Sequence, residues 1–303
     1  MTQKILIISG PTASGKSALA LEIADSQDIS IINADSLQIY EGLPILSSQP
    51  SNEEQRKVKH FLYSALQPCE TSSVGMWLKL VKLAVEESWN SNKLPVIVGG
   101  SGMYISKLVE GICEIPFIDE EVRRHARELF EEIGAQNFKA ELLNLGEEKE
   151  RILNLDKQRL IRAYEVLKQT EKSFFWWQNQ PNKMLFAEEI FTHINLNPNR
   201  EKLYKTCNSR FELMMKNGAI AEVENLLDLR ITEDAAITKT LGFIEITDFL
   251  EKRISEEEAI NIASQKTRNY AKRQLTWFRN QLPNKLVFGE ISEALNYLKD
   301  YEI

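Results

Sequence analysis

The sequence predicts an α/β fold: a parallel sheet flanked by helices, like that of P-loop nucleoside-triphosphate hydrolases, with a helical insertion domain. Three observations carry this expectation. A short apolar run at 5–8 passes through Gly10-Pro11-Thr12-Ala13-Ser14-Gly15-Lys16-Ser17 into a helical stretch at 18–24. Further apolar runs at 29–34 and 94–98 end in polar or glycine-rich turns, as strands of a parallel sheet do. Between 116 and 186 the texture turns charged and helical, so the core is expected at 1–115 and 187–303, with 116–186 inserted.

The first of these segments has the strand–loop–helix context that a phosphate-binding loop requires. Its glycines let consecutive N–H groups point inward at an anion, and the helix that follows adds its partial positive charge. Lys16 supplies a mobile full charge, and the Ser17 hydroxyl is placed to hold Mg2+. Composition bounds the rest. With 303 residues, 43% of them apolar, the chain can bury a full core. A net charge of −7 gives no global case for nucleic acid, so an RNA site has to be a local basic surface. Cys69, Cys113 and Cys207 are far apart and form no C-x-x-C pair, which suggests reduced thiols and no zinc site. No signal-like or membrane-length apolar segment stands out, so a cytoplasmic protein that does not engage membranes is expected.

The second strand ends in Asp35-Ser36-Leu37-Gln38-Ile39-Tyr40, a dense set of hydrogen-bonding groups beside the phosphate loop. An Asp there can also simply form a turn. Residues 41–75 read as a long, partly irregular excursion with a helical patch near 53–59. Residues 76–89 form a helix with Trp77, Val81, Val85 and Trp89 on a core-facing stripe. The third strand runs into Gly99-Gly100-Ser101-Gly102, a second glycine-rich turn that would complete a pocket. No carboxylate ends this strand, which argues against a motor or switch NTPase.

In the insertion, Arg123, Arg124, His125 and Arg127 cluster, and Arg159 and Arg162 share a helix face. Phe174-Phe175-Trp176-Trp177 is expected as core in preference to a base-stacking surface. An alternating strand is expected at 190–196, then a helix from Pro198-Asn199 through Arg210 to Asn217-Gly218. Ser255 and Glu258 have capping-box spacing and open a helix of about 25 residues. On it Ala263, Tyr270 and Trp277 form a packing stripe, while Arg268, Lys272 and Arg279 form a basic one suited to a polyanion.

These segments together resemble the bacterial tRNA dimethylallyltransferase family over nearly the whole chain. They are Gly-Pro-Thr-Ala-Ser-Gly-Lys-Ser at 10–17, Asp-Ser-Leu-Gln-Ile-Tyr at 35–40 and Val-Gly-Gly-Ser-Gly-Met-Tyr at 98–104. Gln-Arg-Leu-Ile-Arg-Ala-Tyr-Glu-Val at 158–166, the Asn208-x-Arg210-Phe211 helix and Arg-Asn-Tyr-Ala-Lys-Arg-Gln-Leu-Thr-Trp-Phe-Arg at 268–279 complete the set. The resemblance implies transfer of a dimethylallyl group from its diphosphate to the exocyclic amine of the adenine 3′ of the anticodon, with Mg2+ as cofactor. It assigns the donor diphosphate to residues 10–17 and Arg210, and the acceptor amine to Asp35. It assigns tRNA contacts to Asp35, Ser36, Leu37, Gln38, Ser101, Arg123, Gln158, Arg159, Leu160, Ile161 and Arg162, and expects a monomer acting on the anticodon stem-loop. The chain departs from the family pattern at Ser101, where Thr is usual, at Leu46 and Gln49, which replace a Gly and a Lys, and at Phe61, which replaces a His.

The chemistry suits these residues. Loop amides, Lys16, Arg210 and Mg2+ face the charge that gathers on leaving diphosphate, and so favour the transition state. An ordinary carboxylate is too weak to deprotonate an adenine amine outright, but Asp35 can take the proton as the C–N bond forms. The target base must leave the anticodon stack to reach it. Two other classes use the same loop: a small-molecule kinase acting with ATP, and a nucleotide-gated RNA-binding protein without catalysis.

Overall fold

Three of the strands are short runs rich in Ile and Val, each closed by a small or polar residue, and with three others they assemble into a sheet that is parallel throughout. The computed structural model describes residues 3–232, 234–282 and 285–300. Among these, six strands pair: β1 (Ile5–Ser9), β2 (Ile29–Asn33), β3 (Lys59–Phe61), β4 (Leu94–Gly99), β5 (Phe191–Leu196) and β6 (Leu286–Phe288). Their order is β3-β2-β4-β1-β5-β6. Helices follow in chain order. Before β5 come α1 (Lys16–Ala24), α2 (Pro44–Ser47), α3 (Asn52–Lys57), α4 (Val74–Asn90), α5 (Gly102–Glu110), α6 (Glu120–Asn144), α7 (Lys149–Ile152), α8 (Lys157–Thr170) and α9 (Phe174–Gln178). After it come α10 (Arg200–Lys216), α11 (Ala219–Asp228), α12 (Phe243–Leu250), α13 (Glu256–Gln281) and α14 (Ile291–Asp300).

Central β1 is buried at every position, so its alternating side chains feed two layers. Leu6 and Ile8 join Leu19 and Ile23 of α1 and Ala294 and Leu298 of α14 in one core cluster. The α4 helix packs against β2 and β4. Trp77 and Trp89 anchor it by donating ring N–H bonds to the carbonyls of Asn33 and Lys4, at 2.9 and 3.1 Å.

Two edge strands escape the sequence reading. In β3 the residues Lys-His-Phe carry no apolar run, and β6 has only three residues. The 41–75 excursion therefore contains an edge strand and the helices α2 and α3. The expected alternation in β5 is also not observed. Its last four residues are all buried, so both faces of the strand are covered there.

The chain divides into two compact units, one of Met1–Glu110 with Leu185–Ile303 and one of Gly111–Met184. In the second unit the entry and exit segments pair antiparallel at Ile112 and Lys183. Its core joins Phe130, Phe138 and Leu142 of α6 to Leu160, Ala163 and Tyr164 of α8. The α6 helix is interrupted at Gly134, whose φ is 72°. Phe174 and Phe175 pack against the core as expected, but Trp176 is 42% exposed, so the aromatic run is amphipathic and not wholly core.

Candidate active site at the carboxyl ends of the strands

After β1 the chain leads to β2 on one side, and after β4 it returns to β5 on the other. The crevice of an open α/β sheet forms at such neighbours, and here it lies between the 10–17 loop and the 99–102 turn. Gly15 precedes α1 with φ 90°, a left-handed conformation that brings the loop into the helix, and no side chain caps that helix. The first-turn amides are thereby left for an anion. Ser14 Oγ is buried in the loop without a hydrogen-bond partner, as a group awaiting a ligand is.

The loop itself is held firmly. Lys16 Nζ donates to the Pro11 carbonyl at 2.6 Å. Arg210 Nη1 donates to Thr12 Oγ1 at 3.2 Å from α10, a helix capped by Asn199. Ala13 packs on Leu203, Cys207 and Ala271. Burial pushes Lys16 down to about 8; the Asp35 carboxylate opposes this shift and the Arg210 guanidinium adds to it. Burial also lowers Arg210, again against Asp35. The hydroxyls of Tyr63, Tyr104 and Tyr270 are pushed up, first by burial and further by Asp35. Asp35, Lys16 and Arg210 therefore share one electrostatic site with a partly aromatic wall.

Asp35 does form a turn, since its Oδ1 accepts from the Leu37 amide at 3.0 Å. The residue that places it is Asn33, which the sequence reading passed over. Asn33 Oδ1 accepts from the Asp35 amide at 2.8 Å, and its Nδ2 donates to the carbonyls of Asp35 and Leu62, both at 3.0 Å. A buried polar residue closing an apolar strand was the available signal.

Several expected RNA contacts have other duties. The Ser101 hydroxyl accepts from the Ser36 amide at 2.9 Å and donates to Ser36 Oγ at 3.3 Å, tying the β2 and β4 ends together. Gln38 Nε2 donates to the carbonyls of Ser47 and Ser48 at 2.9 and 2.8 Å. The departure at Gln49 is explained in the same loop, where its Nε2 donates to the Tyr40 carbonyl at 2.8 Å and its Oε1 accepts from Ser64 Oγ at 2.7 Å. Leu46 is buried, which accounts for an apolar residue there.

In the second unit, Leu160 is core with 1% exposure, so its side chain is unavailable to RNA, and Ile161 packs against the same core. Gln158 and Arg159 are exposed, Arg159 with Asp156 at 3.9 Å, and Arg162 pairs with Glu165 at 3.0 Å. Arg123 lies over the exposed Phe117 ring at 6.0 Å. On α13, Arg268 turns inward to Asn208 Oδ1, so the expected basic stripe loses its first member. Lys272 and Arg273 instead line an open groove of about 490 Å3 with Thr276, Trp277 and Asn280.

A family model described as IPP transferase matches residues 38–281. The chain belongs to the IPP transferase family. It is 44% identical over 301 residues to the tRNA dimethylallyltransferase of Anaplasma phagocytophilum (strain HZ), covering 98% of this chain and 95% of that one. It is 40% identical over 292 residues to that of Rickettsia bellii (strain OSU 85-389), covering 96% and 92%. These relatives span the phosphate loop, which lies before the matched family model. Among solved structures, the tRNA isopentenylpyrophosphate transferase of Bacillus halodurans is 28% identical with a TM-score of 0.68, covering 99% of this chain and 96% of that one. A eukaryotic dimethylallyltransferase acting on tRNA shares the fold, with a TM-score of 0.82 at 20% identity, over 100% of this chain and 81% of that one.

Among the described residues no group of three or more His, Cys, Asp or Glu side chains is placed to hold a metal, and no helix is long and apolar enough to cross a membrane. A magnesium ion that takes most of its oxygens from phosphate and water needs no such cluster. The exposed Ser17 hydroxyl on the first turn of an uncapped α1, beside the orphaned Ser14 Oγ, fits that mode.

Proposed function

We infer that this chain is a tRNA prenyltransferase that joins a dimethylallyl group to the exocyclic amine of the adenine 3′ of the anticodon. Membership of the IPP transferase family supports the reaction class. The observation that carries the mechanism is one carboxylate, Asp35, sharing a site with Lys16 and Arg210 at the mouth of an uncapped phosphate loop.

In the proposed reaction the donor is dimethylallyl diphosphate. Its diphosphate lies on the unengaged amides of the 10–17 loop and the first turn of α1, with Lys16 and Arg210 as counter-charges. Ser17 is proposed as the protein ligand for Mg2+, which supplies charge neutralisation at the leaving group. The C1–O bond breaks, the adenine nitrogen bonds to C1, and the proton released passes to Asp35, whose Oδ1 is already oriented by the Leu37 amide. Diphosphate leaves with the electron pair of the broken bond. Burial of the cationic groups strengthens their pull on that developing charge.

For the RNA we propose Gln158 and Arg159 on the second unit, and Lys272 and Arg273 in the α13 groove on the first, as backbone-contacting groups. We propose that it acts as a monomer, and the substrate suits a cytoplasmic enzyme.

The test is incubation of the purified protein with dimethylallyl diphosphate, Mg2+ and an unmodified anticodon stem-loop, followed by mass analysis of its nucleosides. Adenosine carrying one dimethylallyl group is expected. ATP hydrolysis with unmodified RNA would return the loop to kinase chemistry.

A further inference from the structure

Gln274 lies on the buried face of α13 and is only 6% exposed, and both ends of its amide are engaged. Its Oε1 accepts from the Thr12 amide at 2.8 Å, and its Nε2 donates to the Gly100 carbonyl at 2.9 Å. One side chain thus bridges the loop after β1 and the turn after β4, the two walls of the crevice. The turn is shaped for this contact. A Cβ on Gly100 would stand 2.3 Å from Gln274 Nε2, and one on Gly102 would stand 2.1 Å from the Trp277 ring. The second glycine-rich turn, which in sequence reads as a ligand loop, is the seat of α13.

The neighbours of Gln274 act on the same stretch of loop. Ala13 has φ 62°, a left-handed conformation an alanine does not hold unaided, and it packs against the cluster of Ala271 of α13 with Leu203 and Cys207 of α10. The adjoining Thr12 amide is removed from the anion cradle by Gln274.

We propose that Gln274 is a positioning residue for the donor diphosphate: by bridging Thr12 and Gly100 it fixes the path of the phosphate loop, so that Lys16 and the α1 N-terminus converge on a single diphosphate position. The inference rests on the reading that dimethylallyl diphosphate binds the 10–17 loop. Removing the amide takes this partner from the half-buried Thr12 N–H and the buried Gly100 carbonyl, and the loop relaxes to satisfy them.

The test uses the full chain with Gln274→Met, Gln274→Glu, Gly100→Ala and Lys16→Ala. Donor Kd is measured by titration with dimethylallyl diphosphate and Mg2+, and KM for each substrate by transfer into tRNA. For Gln274→Met, donor Kd and KM rise about tenfold while KM for tRNA stays within about twofold. Gly100→Ala displaces Gln274 Nε2 and gives the same donor-side defect. Gln274→Glu keeps the acceptor for Thr12 and falls between wild type and Gln274→Met. Unchanged donor Kd in Gln274→Met or in Gly100→Ala overturns the proposal, as does an equal rise in both KM values. If Gln274→Met fails to fold, the other two variants decide on the same criteria. Lys16→Ala separates the two levels. Weaker donor binding there with none in Gln274→Met removes only the positioning role, and unchanged binding in Lys16→Ala removes the phosphate-loop reading and the inference with it.

Discussion

Lys16 makes donor binding pH-dependent. Its pKa in the empty site is about 8, lowered by burial, and a bound diphosphate favours the charged form and raises it. Above pH 8 the free protein must therefore take up a proton to bind. Donor Kd is expected to rise through this range, approaching about tenfold per pH unit, while Lys16→Arg, which stays charged, binds with a flat profile. Titrations at three or four pH values check this, and a flat wild-type profile contradicts it. At this scale the sequence showed the charged groups, because Lys16, Asp35 and Arg210 sit in recognisable patterns. It did not show their holders. Asn33 and Gln274 act through hydrogen bonds to backbone 2 and 262 residues away, and only folding brings the second pair together. Gln49 likewise looks like the loss of a lysine until Ser64 and the Tyr40 carbonyl are seen around it.

Among the elements, α13 does most to connect the site. Its capping box of Ser255 and Glu258 was readable, since the motif is local. Its facing was only partly readable. Tyr270 and Trp277 are half-buried, and the buried residues are Ala259, Ala263, Ser264, Ala271, Gln274 and Phe278. A glutamine, the one long polar side chain among these small and apolar residues, was the signal that this helix buries a polar contact. Because Trp277 lies directly on Gly102, Gly102→Ala forces the helix away from the turn. Overpacking of this kind costs about 1–3 kcal/mol. We expect Gly102→Ala to lower the unfolding free energy from chemical denaturation by that amount and to reduce prenyl transfer further than stability alone explains. Wild-type stability and transfer in this variant contradict the account.

For the whole molecule, the central strands were legible because parallel strands buried on both faces read as continuous apolar runs, whereas β3 and β6, at the sheet edges, bury too little to leave such a pattern. The sheet also buries a titratable group. Burial, with some help from Lys285, pushes His193 on β5 down to about 4, and its Nε2 shares a 2.7 Å hydrogen bond with Ser9 Oγ, which Asn195 Nδ2 also reaches at 2.8 Å. The unfolded chain protonates at 6.5, so the sign is clear: stability is full above that pH and falls as the pH drops toward 4. The loss amounts to about 3 kcal/mol, which His193→Gln should abolish in urea titrations at pH 7 and pH 4.5. An equal acid loss in the variant would contradict this.

The central claim is that Asp35, held by Asn33 beside the phosphate loop, takes the proton as the prenyl group moves. The most direct measurement is the single-turnover rate of labelled dimethylallyl transfer into tRNA by Asp35→Asn, alongside its tRNA Kd. The account predicts a rate lower by about a hundredfold or more with Kd within about twofold of wild type. A full rate would contradict it.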